Sequence, residues 1–340
     1  MRKLLFIILV MALLFPINAA FAAAPIKGGR LVVCQPAEPP GLDPTANTAA
    51  AIDRVVFANI YEGLVKVNRN GAFVPGLATA WTVSPDGKIY TFKLRKGVSF
   101  HNGQSFNAAV AKWNLERNAA ENTKNAHPEF FRAIEKIDTP DDYTLVITLK
   151  DVDALFIAHM AEGDAVMLPQ KGYENAASEP VGTGPFKFVS WVRGDRVEMA
   201  RNEKYWNPDL PYLDKVTFKF IGDASAQIAA LKAGDIDVIG YIAAPEQASE
   251  MAKDKRFKVY AGTTTGEVIM STNNKRKPFN DKRVRQAGDA CQATGLGDRL
   301  RNLGQKRFEI GAPLHPQLAT QQVHGLNAVR AFIDGCNFTV

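Results

Sequence analysis

Cysteine is scarce in this sequence, and its placement excludes two common kinds of site. The 340 residues contain three cysteines, Cys34, Cys291 and Cys336. A disulfide framework needs an even set of cysteines at regular spacing, and a structural zinc site needs motifs such as C-x-x-C. The sequence has neither, so we expect no disulfide scaffold and no metal site.

A strong excess of charge is also absent. The formal net charge is +6, from 41 Lys and Arg against 35 Asp and Glu. The basic stretches at residues 253–258 and 273–283 hold a single phenylalanine each, whereas proteins that bind single-stranded nucleic acid stack successive bases on aromatic side chains. These stretches are typical of a solvated surface, and we expect no nucleic-acid partner.

The longest apolar run lies at the amino terminus. Basic residues precede the run at residues 4–15, and Ala20 and Ala22 follow it in A-x-A spacing. Because a membrane-spanning helix needs about 20 apolar residues, this run is too short to be an anchor. The pattern predicts a cleavable secretory signal over residues 1–24, and therefore an exported protein.

Recognisable catalytic motifs are missing as well. The sequence has no G-x-S-x-G, no H-E-x-x-H and no G-x-x-x-x-G-K motif. Its five histidines lack metal-ligand spacing, and Asp235 and Asp237 lie where cap and turn roles are expected. Its four tryptophans are expected to pack in cores rather than stack on a ligand. We therefore expect no enzymatic activity and no cofactor.

Hydrophobic periodicity predicts alternating strands and helices, which is typical of an α/β architecture. Apolar alternation predicts strands within residues 28–35, 86–100, 141–150, 182–191, 194–202, 212–221 and 235–242. Helical spacing predicts helices within residues 53–66, 107–117 and 223–234. Asp223 is expected to be the N-cap of the last helix and Gly234 its C-terminal stop.

Five blocks of sequence occur in an order that is far more specific than any single motif. They are AW-SPDG-YTFKLRKGV-FHNG-FNA at residues 80–108, EPVGTGPFKF at 179–188, YWNPDLPYLDKV at 205–216, ALKAGDIDVI at 230–239 and NNKRKPFNDKRVRQA at 273–287. Together they resemble the bacterial extracellular solute-binding proteins of family 5, the peptide-binding components of ABC importers. The resemblance spans roughly residues 28–287.

The resemblance implies a type II periplasmic-binding-protein-like fold, a Venus flytrap of two lobes with an extra subdomain. In this numbering, lobe I would comprise residues 25–55 and 178–266, the subdomain 56–177, and the start of lobe II 267–287. It also implies a periplasmic protein, expected to be a monomer, that binds a peptide or another small solute. Its second partner would be the ABC permease of the inner membrane.

Family position also points to three ligand-contact segments. They contain Glu38, Gly41 and Leu42, then Gly182 and Thr183, and then Gly240 and Tyr241. Backbone groups there would pair with an extended peptide as an added strand. The alternative is that Glu38 is a solvated loop acid and Tyr241 a core residue.

The resemblance ends at Ala287, where three glycines follow within ten residues. Each glycine costs about 1 kcal/mol relative to alanine inside a helix, and residues 288–340 show no sustained helix or strand periodicity. We expect a second lobe that is largely missing and an aberrant, poorly ordered tail at 288–340, produced by a shift of reading frame near codon 287. The alternative is a genuine short tail with a helix at 326–334. A flytrap without its second lobe would bind its ligand poorly.

Two other function classes stay open on the sequence alone. One is a secreted enzyme that uses the cleft, and the other is an interaction or chaperone-like fragment whose apolar surface is exposed. The ligand class is open as well, because the resemblance admits peptides, glutathione-like compounds, opines, oligosaccharides and metal chelates.

Overall fold

The computed structural model describes residues 27–68, 70–242 and 244–263, the isolated positions Lys275 and Lys282, and the backbone of Lys306–Gly311. The predicted signal peptide, nearly all of the predicted start of lobe II and the predicted helix at 326–334 lie outside the described residues. Within the described residues, no helix is both long enough and apolar enough to span a bilayer.

The described elements alternate between strands and helices. The strands are β1 (Arg30–Gln35), β2 (Val65–Val67), β3 (Phe73–Pro75), β4 (Ala78–Val83), β5 (Ile89–Leu94), β6 (Ile134–Asp141), β7 (Thr144–Leu149), β8 (Phe186–Val192), β9 (Arg196–Arg201), β10 (Lys215–Phe220), β11 (Val238–Ile239), β12 (Lys258–Thr263) and β13 (Lys306–Gly311). The helices are α1 (Ala50–Val56), α2 (Ala108–Ala119), α3 (Pro128–Arg132), α4 (Phe156–His159), α5 (Ala224–Ala233) and α6 (Pro245–Met251).

Capping side chains set the starts of the two longest helices. Asn107 accepts a hydrogen bond from the backbone N–H of Val110 at 3.0 Å, which begins α2. Asp223 accepts one from Ala226 at 2.7 Å, and Gly234 ends α5 with a left-handed φ of 82°. The predicted cap and stop of α5 are confirmed, because both are local signals that need no tertiary contact.

The helix predicted over residues 53–66 is wrong in its second half, because α1 ends at Val56. Asn59 places its side-chain amide on the Val55 carbonyl at 2.8 Å, in the position where a continuing helix would use the Asn59 backbone N–H. Ala58 then turns the chain with a φ of 62°. The apolar positions that suggested a helix are buried, but they are divided between α1, a turn and the approach to β2.

The large sheet has seven strands in the order β12-β13-β11-β1-β10-β9-β8. β1 pairs parallel with both β10 and β11, and the other pairings are antiparallel. Side chains of β1 alternate between the two faces: Leu31 and Val33 pack with α1, whereas Cys34 packs with α5 and α6. The sheet is therefore covered by helices on both faces, as expected for an α/β architecture.

One segment of the predicted tail, β13, is a strand, although residues 288–340 show no sustained strand periodicity. β13 lies between β11 and β12 and pairs antiparallel with both. Its pairing uses main-chain groups, which every residue except proline supplies in full. Side-chain periodicity does not reveal pairing that depends on main-chain groups, and the sequence pattern therefore did not predict this strand.

Two smaller sheets lie within the predicted subdomain of residues 56–177. One is the four-stranded sheet β4-β5-β7-β6, and the other is the hairpin β2-β3. β5 buries Tyr90, Phe92 and Leu94 on one face, as its alternation predicts. The same stretch also supplies Tyr61 and Leu168 to the core of the large sheet, so it belongs to two hydrophobic cores.

Candidate functional site

The carboxyl ends of β1, β10 and β11 lie at one edge of the large sheet, since these three strands are parallel. The chain leaves β1 toward the face covered by α1, and it leaves β10 toward the opposite face, covered by α5. In open α/β sheets, ligands bind outside the carboxyl ends of the strands where successive connections change faces. We call this location the switch edge.

Gln35 is the last residue of β1 and lies at the switch edge. It continues the inward alternation of Leu31 and Val33, and it is only 1% exposed. Neither its Nε2 nor its Oε1 has a hydrogen-bond partner in the part of the chain that the structure describes. A buried polar group without a partner costs about 1–3 kcal/mol, so this carboxamide is a site where a further hydrogen-bonding group would stabilise the protein.

Gly240 and Tyr241 directly follow β11 and lie beside the end of β1. The Gly240 N–H donates to the Cys34 carbonyl at 2.9 Å, and a Cβ added to Gly240 would lie 2.6 Å from Nε2 of Gln35. Tyr241 is partly exposed, and the Arg54 guanidinium carbon lies 5.3 Å from the centre of its ring. The switch edge thus combines a carboxamide, an aromatic ring and a cation.

Glu38 holds a protein loop. One of its carboxylate oxygens accepts a hydrogen bond from Trp191 Nε1 at 2.8 Å, and both accept the Gly194 N–H, at 3.1 and 3.0 Å. These contacts tie the loop after β1 to the β8–β9 hairpin. The structure therefore provides Glu38 with hydrogen-bond partners within the protein, and its contact with a ligand stays a prediction.

The Gly182 and Thr183 segment packs against the turn after α1. A Cβ on Gly182 would lie 1.9 Å from the Ile60 carbonyl oxygen, so no larger residue fits without movement of the backbone. Thr183 is 1% exposed and donates its hydroxyl to Glu62 Oε2 at 2.9 Å. These contacts give both residues a packing role.

The Gly41 and Leu42 segment is also held by backbone contacts. Leu42 is fully buried, and its N–H donates to the Ala177 carbonyl at 2.9 Å. The structure thus places Gly240 and Tyr241 at the switch edge, whereas Leu42 lies in the hydrophobic core of the large sheet.

His101 is a neutral structural residue. Burial lowers the pKa of His101 to about 4. Its Nδ1 accepts the Gly182 N–H at 3.3 Å, which places the ring proton on Nε2, where it donates to the Gly184 carbonyl at 2.9 Å. Among the described residues, no group of three His, Cys, Asp or Glu side chains is arranged to hold a metal ion.

Sequence reasoning missed Gln35 and Arg54 as candidate site residues. A signal for Gln35 exists, because a carboxamide at an inward position of an otherwise apolar strand is unusual unless it has a partner. Arg54 carries no such signal. Its position over Tyr241 joins two segments that are far apart in the sequence.

Comparisons with known proteins agree with this architecture. A sequence model described as bacterial extracellular solute-binding proteins, family 5 Middle, matches residues 72–288. The glutathione-binding protein GsiB of Pectobacterium atrosepticum is 32% identical over 277 residues, which are 80% of this chain and 53% of that protein.

Solved structures are similar over the same region. The PBP AgaA of A. tumefaciens R10, in complex with agropinic acid, is 33% identical with a TM-score of 0.67, over 76% of this chain and 53% of that one. The periplasmic binding protein DppA of Helicobacter pylori, in complex with peptide STSA, is 27% identical with a TM-score of 0.68, over 82% of this chain and 59% of that one. The chain spans about half the length of these relatives.

The match covers most of the described chain, and the solved neighbours share the α/β type II periplasmic-binding-protein fold. Proteins of this family are transport components and not enzymes. The chain belongs to family 5 of the bacterial extracellular solute-binding proteins.

Proposed function

We propose that the chain binds peptides at the switch edge, in the periplasm, and delivers them to an ABC permease of the inner membrane. The predicted signal at residues 1–24 would direct its export. Two of the relatives support the ligand class: GsiB is named for glutathione, and DppA was solved with a peptide.

The observation that carries the proposal is the composition of the switch edge. Gln35 supplies unpaired amide atoms, and Tyr241 with Arg54 supplies an aromatic ring under a cation. These are groups that pair with peptide bonds and with apolar or anionic ends of a small ligand. Gly240 adds a backbone without a side chain beside them.

We further propose that the switch edge by itself binds a peptide weakly. Small-molecule sites bury roughly 70–90% of their ligand, and the described residues of the switch edge would cover a ligand from one side. If a two-sided site binds at about micromolar, or about −8 kcal/mol, half of that free energy corresponds to about millimolar.

A thermal-shift titration of the full chain tests the proposal. We expect di- and tripeptides, at about ten times a millimolar Kd, to stabilise the fold by about 1.4 kcal/mol. Glutathione and agropinic acid compare two further ligand chemistries, and glucose is the matched control that lacks peptide bonds. If no peptide raises the melting temperature above the glucose control, the proposal is wrong.

A further inference from the structure

Gln35 has more hydrogen-bonding capacity than the described protein uses. A carboxamide has one acceptor oxygen and two N–H donors. Neither Nε2 nor Oε1 of Gln35 has a hydrogen-bond partner among the described residues, although the residue is only 1% exposed. Unpaired buried groups of this kind are rare in native proteins, and each one calls for a physical reason.

The absence of a side chain at Gly240 leaves room for the Gln35 carboxamide. A Cβ at position 240 would approach Nε2 of Gln35 to 2.6 Å, which is closer than real Cβ atoms come to a nitrogen. Glycine at this position therefore leaves the amide where it is, whereas alanine would push it aside. Gln35 and Gly240 act as one unit at the ends of the adjacent strands β1 and β11.

We infer that the Gln35 carboxamide binds the N–H and the C=O of a single residue of an extended peptide. A residue in an extended chain presents both groups on the same side, as it does in the hydrogen-bonded pairs of an antiparallel sheet. A carboxamide offers the complementary acceptor and donor next to each other. Both amide atoms are closed to solvent, so the groups that cover Gln35 have to move before a peptide main chain reaches the carboxamide.

This inference rests on the peptide binding proposed above and adds to it a specificity-determining residue. The ligand class becomes a linear peptide with a free N–H at the residue that faces Gln35. A ligand that lacks this N–H loses one of the two hydrogen bonds, and a ligand without a peptide unit loses both.

The test combines Gln35→Leu with a matched control, Gln227→Leu, in the full chain. Leucine has a similar volume and no hydrogen-bonding atoms, so Gln35→Leu should weaken tetraalanine binding about 10-fold. Without peptide it should raise the melting temperature by about 2–4 °C, because it removes an unpaired buried amide. Gln227 is equally buried, but its Nε2 donates to the Ile221 carbonyl at 2.6 Å. Its replacement should lower the melting temperature and leave the affinity unchanged.

A ligand series gives an independent readout. Three tetraalanines, each N-methylated at one peptide nitrogen, remove one N–H at a time, and we expect one of them to bind the wild-type chain several-fold more weakly. The same peptide should lose no further affinity in Gln35→Leu, since the interaction is already absent. Gly240→Ala should reproduce the weaker binding of Gln35→Leu.

Three outcomes would overturn the inference. Equal affinity of Gln35→Leu and wild type would exclude a role in binding, and a lower melting temperature of Gln35→Leu would show that the amide already has a partner such as a bound water. In both cases wild-type binding would leave the proposed function standing. A wild-type chain that binds none of the peptides would overturn the proposed function together with this inference.

Discussion

Glu62 is a fully buried carboxylate whose donors come from three separate segments of the chain. Its Oε1 accepts the Tyr205 hydroxyl at 2.8 Å and lies 3.1 Å from Lys66 Nζ. Its Oε2 accepts the Thr183 hydroxyl and the Trp206 indole N–H, each at 2.9 Å. The replacement Glu62→Gln keeps the size of this side chain and changes only the hydrogen-bonding character of one terminal atom.

Glutamine cannot satisfy this arrangement in either orientation. A hydroxyl such as that of Tyr205 or Thr183 can rotate and accept a hydrogen bond, but an ammonium or an indole N–H can only donate. One orientation places the glutamine NH2 against Lys66, and the other places it against Trp206. Because either one creates a buried donor–donor contact and removes a charge, we expect the free energy of unfolding to fall by about 3 kcal/mol.

Urea denaturation of the full chain, followed by tryptophan fluorescence and far-UV circular dichroism, measures this loss. The two signals should change together if the transition is two-state. Thr183→Val is the graded control, since it removes one hydrogen bond and should cost about 1 kcal/mol. If Glu62→Gln costs no more than Thr183→Val at an unchanged m-value, the assignment of Glu62 as a shared acceptor is refuted.

Two further predictions concern the segment that Gly182 occupies. Burial lowers the pKa of His101 from 6.5 to about 4, so the unfolded chain takes up a proton between these values while the folded chain does not. This contribution to the free energy of unfolding is therefore fully present above pH 6.5, and at most about 3 kcal/mol of it is lost by pH 4. Urea titrations at several pH values should show a smaller loss in His101→Gln than in the wild type. An equal loss in both would contradict the lowered pKa of His101. Gly182→Ala should destabilise the fold by about 1–3 kcal/mol through its contact with the Ile60 carbonyl and leave peptide affinity unchanged. A selective loss of affinity in calorimetry would instead support the predicted contact of Gly182 with the ligand.

Local patterns predicted a large part of the fold. The alternation of β5, the strands β8 and β9 and the Asp223 and Gly234 limits of α5 agree with the sequence analysis. Each of these depends on residues a few positions apart, where side-chain direction and capping chemistry act directly. The five ordered blocks were sufficient to identify the family, which the comparisons confirm.

The candidate site was predicted less completely. The seven predicted contact residues all stay candidates, and the structure places Gln35 and Arg54 beside Gly240 and Tyr241. Glu38 is engaged by a hairpin that lies more than 150 positions away in the sequence, a contact that no local pattern reports.

The sequence by itself determined the α/β class, the family and most element positions, because strand and helix periodicity and helix capping depend on residues that are close together in the chain. Only the tertiary structure decided where α1 stops, that β13 joins the large sheet, and that Gln35 is buried without a partner. These features depend on hydrogen bonds and packing between distant segments. The free energy of a buried polar group is set by what the fold brings against it, and not by its neighbours along the chain.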